Sequence, residues 1–155
     1  MKIKIIITLS AIGLLTASAT LAQEPRRATL PQQKMCADQA KKAFNDLQDV
    51  RDKNTVTMTW EYTSHYDAKA NICYMMTTRF DMMKDTKTRA FAQVVSDAFE
   101  GRVYANYLHL SEKDKADYEV KPQECSVKPR GQPEINCKDS DEFELLVDKH
   151  FGIGR

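Results

Sequence analysis

The chain lacks a pronounced net charge, a second long apolar run, and the common metal and nucleophile signatures. Its formal charge is +1 over 155 residues, with 23 Lys and Arg against 22 Asp and Glu. A chain this balanced exerts no long-range pull on nucleic acid or anionic lipid, so both partners are disfavoured. No C-x-x-C pair occurs, and the spacing of the four cysteines matches no common zinc pattern. His65, His109 and His150 are scattered, without H-x-x-x-H or H-E-x-x-H spacing. The G-x-S-x-G elbow is missing too. Repeats and low-complexity segments are absent. These gaps leave no expected catalytic residue, cofactor or metal ligand.

What is present begins at the first residue. Lys2 and Lys4 precede an apolar stretch from Ile5 to Leu15, followed by the small-residue exit Ala17-Ser18-Ala19-Thr20-Leu21-Ala22. That is the anatomy of a secretory signal peptide, residues 1-22. The apolar core is about 11 residues, short of the roughly 20 a membrane-spanning helix needs. Cleavage fits after Ala19 or after Ala22; the polar run from Gln23 favours Ala22. It removes two lysines, leaving a net charge of about −1 by the same count. The remainder, 23-155, reads as one small domain with a flexible leader over 23-28, exported to the periplasm or secreted, and not inserted in a membrane. Oligomeric state is open.

Export makes disulfides possible for Cys36, Cys73, Cys125 and Cys137. Four cysteines allow three pairings. The local pattern favours two of the bridges. Thr29 can cap a helix with Pro31 in its first turn, and Cys36, Ala40, Ala43, Phe44 and Leu47 form its apolar stripe. Val56, Met58, Trp60, Tyr62 and Tyr66 then alternate with polar residues, predicting a half-buried strand. After turn residues 67–71, a second strand puts Ile72, Tyr74, Met76, Phe80 and Met82 on one side and Cys73 on the other. A helix covering that other side brings Cys36 to Cys73. Cys125 and Cys137 then close the proline-bearing loop between them.

Strands are also expected from Thr88 to about Asp97, from Arg102 to Leu110, and from Tyr118 to Val127, the last at an edge because of Pro122. Asp139 and Glu142 have capping-box spacing, Phe143, Leu146, Val147 and Phe151 form a stripe, and Gly152 stops the final helix. The fold class is therefore α+β: an antiparallel meander of four to five strands flanked by an N-terminal and a C-terminal helix, disulfide-stabilised, with the last helix on an edge or end of the sheet.

Candidate chemistry is thin. Ser64 and His65 are adjacent on a strand and point to opposite faces, so they cannot act as a pair. Met58, Met75, Met76, Met82 and Met83 cluster in one hairpin, which could present thioethers to soft copper, although gap-filling in the core explains them better. Tyr62, Tyr66, Tyr104 and Tyr107, with His65, are the candidate binding surface, because tyrosine suits surfaces with one apolar and one wet end. The leading reading is an exported, non-enzymatic protein that binds a partner protein or small ligand through that surface or the loop between Cys125 and Cys137. The alternatives are a small periplasmic hydrolase with a site around His65, and a methionine-based copper-handling protein.

Four stretches together resemble an uncharacterised group of small exported bacterial proteins of unknown function. They are Tyr62-Thr63-Ser64-His65-Tyr66, Asn71-Ile72-Cys73-Tyr74-Met75, Asp97-Ala98-Phe99-Glu100-Gly101-Arg102-Val103-Tyr104, and Ser140-Asp141-Glu142-Phe143. The likeness spans about Cys36 to Phe151; it implies Gram-negative export and brings no activity with it. The periplasmic lysozyme-inhibitor families are also small, exported and disulfide-bonded. Their serine- and glycine-rich inhibitory loop is not evident here, so that match fails at the motif level.

Overall fold

A computed structural model describes residues 27–48, 54–84, 86–112 and 115–153. The signal peptide expected over 1-22, and most of the leader after it, lie outside the described residues. The described chain runs α1 (Leu30–Gln48), β1 (Thr55–Asp67), β2 (Ile72–Met83), β3 (Arg89–Asp97), β4 (Val103–Leu110), a 3-10 turn (Asp117–Glu119), β5 (Glu124–Val127), β6 (Ile135–Asn136) and α2 (Ser140–Phe151). The strands form one antiparallel sheet in the order β1-β2-β3-β4-β5-β6. The α+β meander with a helix at each end is thus as expected, with six strands in place of four to five. Residues 118–123 are not strand, and β6 rises from the stretch expected to be a loop.

One face of the sheet carries α1. Thr29 begins the helix with a reciprocal cap: Gln32 N donates to Thr29 Oγ1 at 3.4 Å, and Thr29 N donates to Gln32 Oε1 at 2.9 Å. Cys36, Ala40 and Phe44 recur every four residues and are the buried stripe. They pack on Tyr66, Cys73 and Met75. Cys36 and Cys73 form a disulfide with Cα atoms 5.3 Å apart, which fastens the helix to β2.

The alternation expected along β1 is interrupted at Met58. Thr57 pairs with Asp81 but Thr59 pairs with Phe80, so Met58 is an extra, bulged residue. Val56 therefore shares a face with Met82, whereas Trp60, Tyr62 and Tyr66 face α1. At the other end of β1, Asp67 Oδ1 accepts from Lys69 N and Ala70 N, making the turn into β2.

The opposite face carries α2 and the larger core. Asp139 caps α2 by accepting from Glu142 N at 2.9 Å, and Gly152 ends it at φ 64 with its N–H on Asp148 O. The capping-box partner Glu142 reaches back to Lys138 N at 3.0 Å. Phe143, Val147 and Phe151 pack on Tyr74, Val95, Tyr104, Ala105, Tyr107 and Val127. Full burial of each large apolar side chain contributes about 1.5–3 kcal/mol. A bulge puts Tyr104 and Ala105 into this core together, since Val95 pairs with Ala105 and Ser96 with Val103. The C-terminal helix thus lies on a sheet face and not on an edge or end, because its stripe needs an apolar surface as wide as itself.

Cys125 and Cys137 are bridged as well, across β5 and β6, two residues before the α2 cap. Two disulfides and no free cysteine among the described residues place the chain in an oxidising compartment. No helix among the described residues is long and apolar enough to cross a membrane.

Candidate functional site

The tyrosines named from the sequence do not share one surface. Tyr62 stacks on Phe44 under α1, with ring centroids 4.7 Å apart. Tyr66 is buried on the same face, its hydroxyl donating to Asn71 Oδ1 and accepting from Gln32 Nε2. Tyr104 and Tyr107 are buried on the opposite face, against Phe151 and Phe143. Burial raises the Tyr107 hydroxyl pKa despite its hydrogen bond with Ser140, and pushes that of their neighbour Tyr74 up to about 12. These rings are core and helix-packing residues.

His65 stays exposed on β1, opposite Tyr74 in register. Its ring lies against the end of α2: a Cβ built on Gly152 would stand 3.3 Å from His65 Nε2. Ser64 faces away from it, Asp67 Oδ1 is taken by the turn, and all four cysteines are bridged. Among the described residues, no nucleophile–base pair is assembled around His65. The methionines do not converge either. Met75 is buried under α1 while its neighbour Met76 packs with the α2 core, as alternation along a strand requires. The loop between Cys125 and Cys137 is closed by Cys137 N donating to Cys125 O and anchored by Arg130 Nη1 on Ala70 O at 3.2 Å.

The strongest candidate site is a groove between α2 and the first three strands. Its origin is a mismatch of dimensions. α2 has 12 residues, about 18 Å of helix. β1 alone has 13, about 43 Å of strand. The helix sits over β4 and β5 and leaves part of the β1–β3 face open. The resulting cavity measures ≈ 820 Å³, within the range of small-molecule sites, about 300–1,000 Å³. Met76, Phe80 and Phe91 form an apolar floor, and Leu145, 72% exposed, overhangs from α2.

Gln93 lies in this floor, paired across the sheet with Thr78 and Tyr107. It is only 3% exposed, yet its Oε1 has no hydrogen-bond partner. Leaving a buried acceptor unmatched costs about 1–3 kcal/mol, so each such group calls for a reason. Around the rim stand Glu61 from β1 and Asp141, Glu144 and Asp148 from α2, with no Lys, Arg or His among the described residues of the lining. Sequence reasoning passed over Gln93, Asp141, Glu144 and Asp148 as site residues, although the signals were there. Phe91, Gln93 and Val95 alternate along β3, so a polar residue sits in an apolar row. Asp141, Glu144 and Asp148 recur at helical spacing.

A second groove, ≈ 730 Å³, flanks α1 on the other face. Most of its charges come in opposite pairs, Glu100 with Arg102 among them, while Asp97 Oδ1 accepts from Phe99 N. Arg79 lies 4.5 Å from the Trp60 ring centroid with Nε 2.6 Å from Asp81, and Lys42 pairs with Asp46 at 2.8 Å. Among the described residues no group of three His, Cys, Asp or Glu could hold a metal ion. Neither protein-family models, curated proteins nor solved structures give a match to this chain.

Proposed function

We propose that this is an exported, non-enzymatic bacterial binding protein, of the group its sequence resembles, whose seat for a small ligand is the groove between α2 and β1–β3. One observation carries the reading: Gln93 lines the groove floor, is 3% exposed, and its Oε1 has no hydrogen-bond partner. A ligand that donates a hydrogen bond there would satisfy it while covering Met76, Phe80 and Phe91. The disulfides support a periplasmic or secreted location, as does the signal peptide read from the first 22 residues. Mass spectrometry of the exported chain tests the latter: the expected mass begins at Gln23 and is four protons short of the reduced form.

The binding reading is tested by recording amide NMR spectra of the exported chain against a mixture of small amines, acids, alcohols and sugars. Binders are expected to shift Thr63, Thr78, Gln93 and Leu145. Shifts confined to residues 128–134, or no shift in the groove with any compound, would overturn it.

A further inference from the structure

We infer that the ligand of this groove is an organic cation with an apolar body, the class of an alkylammonium; the inference rests on the groove being the ligand seat. The argument starts from hydrogen-bonding sense. An ionised carboxylate only accepts, and the unmet atom of Gln93 is a carbonyl oxygen. Gln93, with its unmet Oε1, and the carboxylates of Glu61, Asp141 and Asp148 thus bring acceptors to the lining of one cavity. The site asks for donors, and a ligand carboxylate would bring like charge against the rim.

Charge balance points the same way. Ion pairs join Lys42 to Asp46, Arg79 to Asp81, Arg89 to Asp117, Arg102 to Glu100 and Lys115 to Glu112. Glu61, Asp141 and Asp148 pair with no base among the described residues. In a chain of balanced composition, that is a local segregation of one sign. The neighbouring hollow beyond Phe80 and Phe91 includes Lys121 and Lys138, so the purely acidic lining stops at those two rings.

A bare metal ion is a poor occupant. Its ligands must converge on one point at about 2–2.6 Å, and these carboxylates form no such cluster. An extended cation suits them better. Its ammonium donates to Gln93 Oε1 or a rim carboxylate, Phe80 and Phe91 offer ring faces to the charge, and its chain lies on Met76 under Leu145.

The test uses the full exported chain, isotope-labelled, titrated at low salt with octylammonium, octanoate and 1-octanol in separate arms. Octylammonium is expected to shift Glu61, Thr78, Gln93 and Leu145, to bind at least tenfold more tightly than octanoate, and to weaken as salt is added. Glu61→Gln with Asp148→Asn, both at exposed positions, should weaken octylammonium at least threefold and leave octanol unchanged. Glu100→Gln, outside the groove, should change neither. Equal binding of all three compounds in the groove would overturn the cationic class and leave the groove standing as a ligand seat. If no compound shifts the groove, or octylammonium shifts only residues elsewhere, both readings fall.

Discussion

The two faces of the sheet are built alike and finished differently. Each carries a capped helix, an associated disulfide and a groove beside the helix. On the α1 face the disulfide joins the helix itself to the sheet, at Cys36 and Cys73. On the α2 face it joins β5 to the residue that follows β6, and the helix is held by packing of Phe143, Val147 and Phe151. The α1 groove joins Lys42 to Asp46 and Arg79 to Asp81, and its Asp97 accepts from the backbone N–H of Phe99. The α2 groove pairs Glu61, Asp141 and Asp148 with no base among the described residues, and each face keeps an unmatched buried acceptor, Asp81 Oδ1 on one and Gln93 Oε1 on the other. An element fixed covalently can sit on a smaller apolar core. The face without such a staple needs the larger core, and its short helix leaves the groove uncovered.

Breaking the two bridges separately is the largest test of that contrast. The loops they close differ, with sequence separations of 37 for Cys36 and Cys73 and 12 for Cys125 and Cys137. The chain-entropy relation gives about 4 kcal/mol for the first and about 3 kcal/mol for the second. Cys36→Ala with Cys73→Ala should therefore lower the urea midpoint more than Cys125→Ala with Cys137→Ala. It should also raise hydrogen exchange selectively in α1. Equal losses, or α2 loosening first, would mean the bridges do not divide the faces as described.

A smaller effect is expected at the end of α2. Gly152 sits at φ 64 with the His65 ring against it. Gly152→Ala should cost about 1–2 kcal/mol from the left-handed backbone alone. Adding His65→Ala should recover only the part that comes from crowding. Full recovery in the double-mutant cycle would show that the ring, and not the backbone, is what requires glycine.

The mildest contrast appears only at alkaline pH. Below pH 10 the folded and unfolded chains hold the Tyr74 proton alike. Above it the unfolded chain releases that proton, while burial makes the folded chain keep it up to about 12. Unfolding then releases a proton, so stability falls as pH rises from 10 towards 12. Tyrosinate absorbance should show a late-titrating tyrosine that Tyr74→Phe removes, along with part of the alkaline destabilisation.

Much of this architecture is legible along the chain. Alternation from Trp60 to Tyr66 and from Ile72 to Met82 marks the hairpin, because side chains on a strand must point to opposite faces in turn. Asp139, Glu142 and Gly152 bracket α2 because helix ends need partners for their free N–H and C=O groups. The bridge from Cys36 to Cys73 follows from the same two periodicities. Other features escape a local reading. The bulges at Met58 and Tyr104 are extra residues that only the pairing strand reveals. β6 is two residues long and exists because β5 offers it an edge. The tyrosines look alike in sequence, yet Tyr62 and Tyr66 went to one core and Tyr104 and Tyr107 to the other.

The sequence by itself determined the two helices, the first four strands and the caps of α2, and it favoured one of three cysteine pairings, since each depends on residues close together or on a simple period. The tertiary structure decided which face each helix covers and how much of the sheet it leaves bare. That choice depends on relative lengths and on packing between distant segments. It turned Gln93 from one polar residue in a strand into a buried acceptor facing an acidic groove.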